Sequence, residues 1–138
     1  MAEPRRPSPE ISVVVPCWRS ETTIGRCIAA LRAQEAAPPF EVVVVDSSPD
    51  EGTVLAARAA NPPGPGEIDL VLDRAADRLF PGEARNRGVA LSRAPWILFL
   101  DSDCLAASDL LATAARLRGA GAVVRSEEHT SELQSPCN

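Results

Sequence analysis

Four stretches of this chain are nearly unbroken apolar runs that stop abruptly on proline or aspartate: ISVVVP (11–16), FEVVVVD (40–46), IDLVLD (68–73) and WILFLD (96–101). A strand wetted on one face alternates apolar and polar residues. A continuous β-branched run needs cover on both faces, which is the habit of a parallel sheet between helices. The segments between the runs supply that cover. Ile24, Cys27, Ile28 and Leu31 fall at i, i+3, i+4 and i+7, one face of a helix, with Ser20 as its expected N-cap and Glu21 in its first turn. Asp50 is placed to cap a second helix running to about Ala60. Gly82–Ala94 predicts a third, with Ala84 and Gly88 small enough for close packing, and Ser108–Arg118 a fourth. GAVV (121–124) opens a fifth strand. Strands alternating with helices predict an α/β fold, a mostly parallel sheet with helices on both faces.

In such sheets ligands sit beyond the carboxyl ends of the strands. The residues just after each run are therefore the candidates: Pro16, Cys17 and Trp18; Asp46 and Ser47; Asp101, Ser102 and Asp103. A carboxylate is costly to bury unless something pairs with it, so a strand that ends on two acids one residue apart is either wetted or holds a cation. In an extended chain Asp101 and Asp103 project to the same side. Hard oxygen ligands suit Mn2+ or Mg2+, which keep few protein ligands and take the rest from phosphates and water. A nucleoside diphosphate is the natural companion. Asp46 can accept from a base N–H or a ribose hydroxyl. Arg85 and Asn86, in the first turns of a helix, favour an anion or a polar base edge. Each has a plainer alternative: a solvated loop for the acids, a turn for Asp46, a solvated helix face for Arg85 and packing for Trp18.

Several classes are excluded. A net charge of −5 without a basic cluster argues against nucleic acid. No apolar run approaches the roughly 20 residues of a membrane span. The N-terminus MAEPRRPSPE has no apolar stretch after its arginines, so it reads as a disordered lead-in over 1–10 of a cytoplasmic protein. Cys17, Cys27, Cys104 and Cys137 form no CxxC pair and read as small buried hydrophobes. A nicotinamide enzyme would need glycines where the chain has PCWRSE. An aspartate-dependent phosphatase would carry its paired acids after the first strand. Arginine is the chain's only basic residue besides His129, and alanine and proline abound, the imprint of a GC-rich and therefore bacterial genome.

Together, ISVVVPCWRSETTIGRCIAALRAQ, FEVVVVDSSPDEGT and GEARNRGVALSRAPWILFLDSDC resemble the nucleotide-binding half of family 2 glycosyltransferases, inverting enzymes of the GT-A fold, from Ile11 to about Val124. The resemblance implies a nucleotide-sugar donor, with Pro16, Cys17 and Trp18 lining the base. Asp46 would bind base or ribose, and Arg85 and Asn86 would face the nucleotide. Asp101 would touch the ribose or the metal's shell, and Asp103 would ligate Mn2+ or Mg2+. Many relatives have consecutive acids after the second strand; here Ser47 takes the second place. The family's catalytic base lies in an acceptor-binding half that 11–124 does not include, so the acceptor is unknown and donor binding without turnover is expected. Some relatives carry membrane helices after the catalytic domain. The last stretch, RSEEHTSELQSPCN (125–138), differs in style from the rest. It is similar to the in-frame translation of a common sequencing adapter, so a non-native tail on a truncated chain is expected.

Overall fold

In a computed structural model, residues 6–118 are described. They alternate as read: β1 (Ile11–Cys17), α1 (Ile24–Arg32), β2 (Phe40–Asp46), α2 (Gly52–Ala59), β3 (Asp69–Arg74), α3 (Pro81–Leu91), β4 (Trp96–Phe99) and α4 (Leu110–Arg118). The four strands make one parallel sheet in the order β3-β2-β1-β4. The expected fifth strand and the tail at 125–138 lie outside the described residues.

Both faces of the sheet are covered, as unbroken apolar strands require. On one face Val13, Val15, Val42 and Val44 pack with Ile24, Cys27, Ile28 and Leu31 of α1, Ala57 of α2, and Leu111 and Ala114 of α4. On the other, Val14, Val43 and Val45 meet Ala84 of α3. The helix α3 presses so close that a Cβ on Gly88 would stand 2.2 Å from Val14 Cγ1. Only a residue without a side chain fits there.

Helix boundaries shifted where tertiary contacts claimed the capping groups. Ser20 does not cap α1: its hydroxyl meets Ser102 Oγ at 2.9 Å. Its carbonyl instead accepts from Thr23 and Ile24, forming a turn ahead of the helix that contains Glu21. Asp50 stands one residue before Glu51, the N-cap of α2, and accepts from Gly52 N at 2.9 Å. At α3, Pro81 takes the first position and Glu83 Oε1 accepts from Phe80 N at 2.9 Å. That helix stops at Leu91 rather than Ala94, because Arg93 N turns away to donate to Glu41 Oε2 at 2.7 Å.

Glu41 was not singled out in the sequence, yet it is fully buried at the start of β2. Ser12 Oγ donates to it at 2.6 Å and Arg93 Nε at 3.0 Å, while Ala94 N donates to Ser12 Oγ at 3.1 Å. The network ties the α3–β4 connection to the amino ends of β1 and β2. Burial pushes the Glu41 carboxyl up. The Arg93 amide, the Ser12 hydroxyl and the Arg93 guanidinium outweigh burial and hold it below the usual carboxylate range.

Candidate donor site at the carboxyl edge

The parallel register lines up the strand ends. Cys17 sits opposite Asp46, and Asp46 opposite Arg74, in one row across the sheet. Leu100 N donates to Val14 O at 3.0 Å, which delivers Asp101 to the same edge. A cleft of about 190 Å³ opens there, lined by Pro16, Cys17, Trp18, Ser47, Arg78, Leu79, Pro81, Ala84, Arg85 and Asp101. Six candidates, Pro16, Cys17, Trp18, Ser47, Arg85 and Asp101, thus meet on one surface. Larger hollows of about 340 and 490 Å³ lie at the opposite, amino edge. Their charged side chains are already paired: Arg6 with Glu67, and Arg93 with Glu41 and Asp69. Size alone does not make them sites.

The loops of the cleft brace each other. Ser47 N donates to Cys17 O at 3.1 Å, Arg19 N to Ser48 Oγ at 2.6 Å, and Ser20 N to Thr53 Oγ1 at 2.9 Å. Arg19 takes a left-handed φ of 52°, a conformation unusual outside glycine that these bonds hold in place. The resulting bend presents Trp18 at the surface, 38% exposed.

Asp46 is the surprise. It is fully buried and does not line the cleft. Its Oδ1 accepts from Ser48 N at 3.1 Å and Ser48 Oγ at 2.5 Å. Its Oδ2 is buried without a hydrogen bond, 3.6 Å from Arg74 Nε. Asn86 is exposed and also stands off the cleft, one helix position away from Arg85. The register of α3 explains this, since successive helical residues turn by about 100°.

Asp101 and Asp103 are not in an extended chain, as the spacing argument assumed. The strand ends at Phe99, and Cys104 N donates to Asp101 O at 3.0 Å, closing a turn. The turn brings them together by another route. One oxygen of each carboxylate and the Cys104 sulfur all lie within 4.8 Å of one another. Asp101 is half-exposed and Asp103 exposed, which leaves room for water and phosphate on the far side of a cation. A hard cation would take the two carboxylates. Arg85 Nη2 stands 3.9 Å from Asp101 Oδ1, and Arg85 Nε is buried without a hydrogen bond.

Cys17 and Cys27 serve packing. Cys17 and Cys27 are free and buried. Burial, and then the nearby Cys27 and Asp46, raise the Cys17 thiol far above its ordinary value. Burial, followed by Asp103 and Asp101, pushes Cys27 up to about 12. Neither is a nucleophile at neutral pH.

Arg74, Arg78 and Leu79 were missed in the sequence. Arg74 could have been found, because it ends β3 and the carboxyl-end rule applies to that strand as to the others. Arg78 lies in an irregular loop and carries no local signal.

Comparison with known proteins gives the family and the fold. The family described as Glycosyl transferase family 2 matches residues 12–124. The succinoglycan biosynthesis protein ExoO of Rhizobium meliloti (strain 1021) is 39% identical over 95 residues, covering 69% of this chain and 26% of that protein. The chain spans about a quarter of the length of the curated relatives it matches first. Among solved structures, the mannosyltransferase PcManGT from Pyrobaculum calidifontis, in complex with GDP-Man and Mn2+, superposes with a TM-score of 0.70 at 29% identity, covering 78% of this chain and 32% of that one. S. aureus TarS 1–349 in complex with UDP-GlcNAc gives 0.68 at 29% identity, covering 80% and 31%.

Proposed function

The chain belongs to glycosyl transferase family 2 and has the GT-A fold, and from that premise we propose that its parent protein moves a sugar from a nucleoside diphosphate sugar to an acceptor hydroxyl with inversion. The region described here is the donor-binding part. One observation supports this above the rest: Pro16, Cys17, Trp18, Arg85 and Asp101 converge on one cleft, with the Asp101–Asp103 carboxylate pair at its rim.

The roles follow from placement. Pro16, Cys17 and Trp18 form the wall against which the nucleotide lies, partly through backbone atoms. Asp103 and Asp101 would hold Mn2+ or Mg2+, and their converging, partly wetted oxygens fit a hard divalent cation. When bound, that cation would offset charge on the departing nucleoside diphosphate. Arg85 holds Asp101 from the helix side and offers a buried, uncommitted Nε–H to an anion. Asn86, on the exposed side of α3, serves the nucleotide only at the cleft's outer margin. Asp46 Oδ2 is a buried acceptor without a donor, the state that gains most from an incoming base or ribose hydrogen bond. Arg74 screens it, so access requires the Arg74 side chain to swing aside.

Inversion needs a base to deprotonate the attacking hydroxyl. Among the described residues lining the cleft Asp101 is the one carboxylate, and it is engaged by Arg85. This chain is therefore expected to bind donor without turning it over. Calorimetric titration of the chain with UDP and GDP, with Mn2+ and again after chelation, tests the reading. Metal-dependent binding of either supports it; no binding of either sinks it.

A further inference from the structure

Arg78 is the cleft residue whose chemistry is least used by the fold. It is exposed, and its Cζ lies 3.8 Å from the centroid of the Trp18 ring. Arg19 approaches the same ring at 4.9 Å. Among the described residues Arg78 has no carboxylate partner and donates no hydrogen bond, so the donors of its guanidinium are uncommitted. That contrasts with its neighbours: Arg74 donates to Ser48 O at 3.0 Å, and Arg87 pairs with Asp73 through Nε at 2.5 Å.

The surrounding chain holds this group in position. Arg87 Nη2 donates to Arg74 O at 3.2 Å and anchors the end of β3. Glu83 accepts from Phe80 N at 2.9 Å and anchors the start of α3. Arg78 lies between those two fixings. Its planar group rests near an aromatic ring, which restrains it without consuming its hydrogen-bond donors.

The charge balance supplies the ligand chemistry. A nucleoside diphosphate carries more negative charge than one divalent cation shared with two aspartates can offset. A guanidinium fork matches phosphate oxygens, and Arg78 shares the cleft with Arg85 and Asp101. We propose that Arg78 is a ligand for the diphosphate of the donor, held in place against Trp18. The inference rests on the donor-site reading above and adds to it a specific anion contact.

The test compares Arg78→Gln and Arg78→Lys with the unaltered chain, using UDP and GDP with Mn2+, and uridine and guanosine as probes lacking phosphate. Arg78→Gln is expected to weaken the preferred diphosphate by about tenfold, the loss of one charge-assisted contact, while nucleoside affinity stays level. Arg78→Lys keeps the charge without the fork and should recover part of the loss. Circular dichroism and the thermal midpoint of each variant check folding. Equal diphosphate affinity in Arg78→Gln overturns the proposal. Equal weakening of nucleoside and diphosphate also overturns it, because Arg78 would then serve the base. If the unaltered chain binds neither diphosphate, the donor-site reading itself fails, and this inference fails with it.

Discussion

Arg93 grips Glu41 at two points, its amide 2.7 Å from Oε2 and its Nε 3.0 Å from Oε1, across 52 residues of sequence. The carboxylate is fully buried, and its folded pKa lies below the ordinary value. Between the folded and ordinary values the unfolded chain binds more protons, so stability rises with pH there. The contribution is complete above an ordinary glutamate pKa of about 4.3 and is lost as pH falls through the folded value. Glu41→Gln should cost about 2 kcal/mol at neutral pH and flatten the acid limb of the stability curve. Urea midpoints measured from pH 7 to pH 3 check this; an unchanged acid limb in the variant would remove the role given to Glu41.

Gly88 touches the sheet through Val14. Adding one methyl in Gly88→Ala gains helix propensity of up to about 1 kcal/mol but forces a Cβ to 2.2 Å from Val14 Cγ1. Overpacking of that kind costs about 1–3 kcal/mol, so net destabilisation is expected. Val14→Ala makes room, and the double variant should lose less than the sum of the singles. Thermal or urea midpoints of the three variants decide it; a raised midpoint for Gly88→Ala would refute the close-packing account.

Asp103→Ala is expected to abolish Mn2+-dependent diphosphate binding while leaving the fold intact, since Asp103 is exposed and Arg85 pairs with Asp101. Asp101→Asn should weaken metal binding and also release Arg85. Direct Mn2+ titration followed by electron paramagnetic resonance reads the metal without requiring turnover. Unchanged Mn2+ affinity in Asp103→Ala would end the metal assignment.

Asp46→Asn exchanges a charged acceptor for an amide beside Arg74, which stands 3.6 Å away. Weakening of that pairing and of the Ser48 hydrogen bonds to a buried carboxylate should destabilise the chain by about 1–3 kcal/mol. If Oδ2 receives a base or ribose hydrogen bond, nucleoside affinity should fall along with diphosphate affinity. A folded Asp46→Asn that binds uridine and guanosine as the unaltered chain does would leave Asp46 a purely internal brace. The contrast with Arg78, where only the diphosphate should suffer, separates the two ends of the donor.

The strands and their covered faces were legible because they depend on local pattern. A run such as Val42–Val45 can be satisfied only with apolar cover on both sides, and the stripe Ile24, Cys27, Ile28 and Leu31 is buried as spaced. The carboxyl-end rule then found Pro16, Cys17, Trp18, Ser47 and Asp101 of the cleft without coordinates. The sequence did not reveal surroundings that come from distant segments. Asp46 read as an acceptor for base or ribose, or as a turn residue, because it ends a strand; in the fold Ser48 and Arg74 close over it. Ser20 looked like a cap, but Ser102 claims its hydroxyl from 82 residues away.

Sequence alone therefore determined the sheet's type, the small-residue face of α3 and the acidic end of β4, because each is set by residue types at fixed local spacing. Tertiary structure decided the strand order, the turn that gathers Asp101 and Asp103, the burial of Asp46 and Glu41, and the placing of Arg78 against Trp18. Those outcomes depend on which loops the folded sheet brings within a few ångströms of each other, and no short stretch of chain encodes that distance.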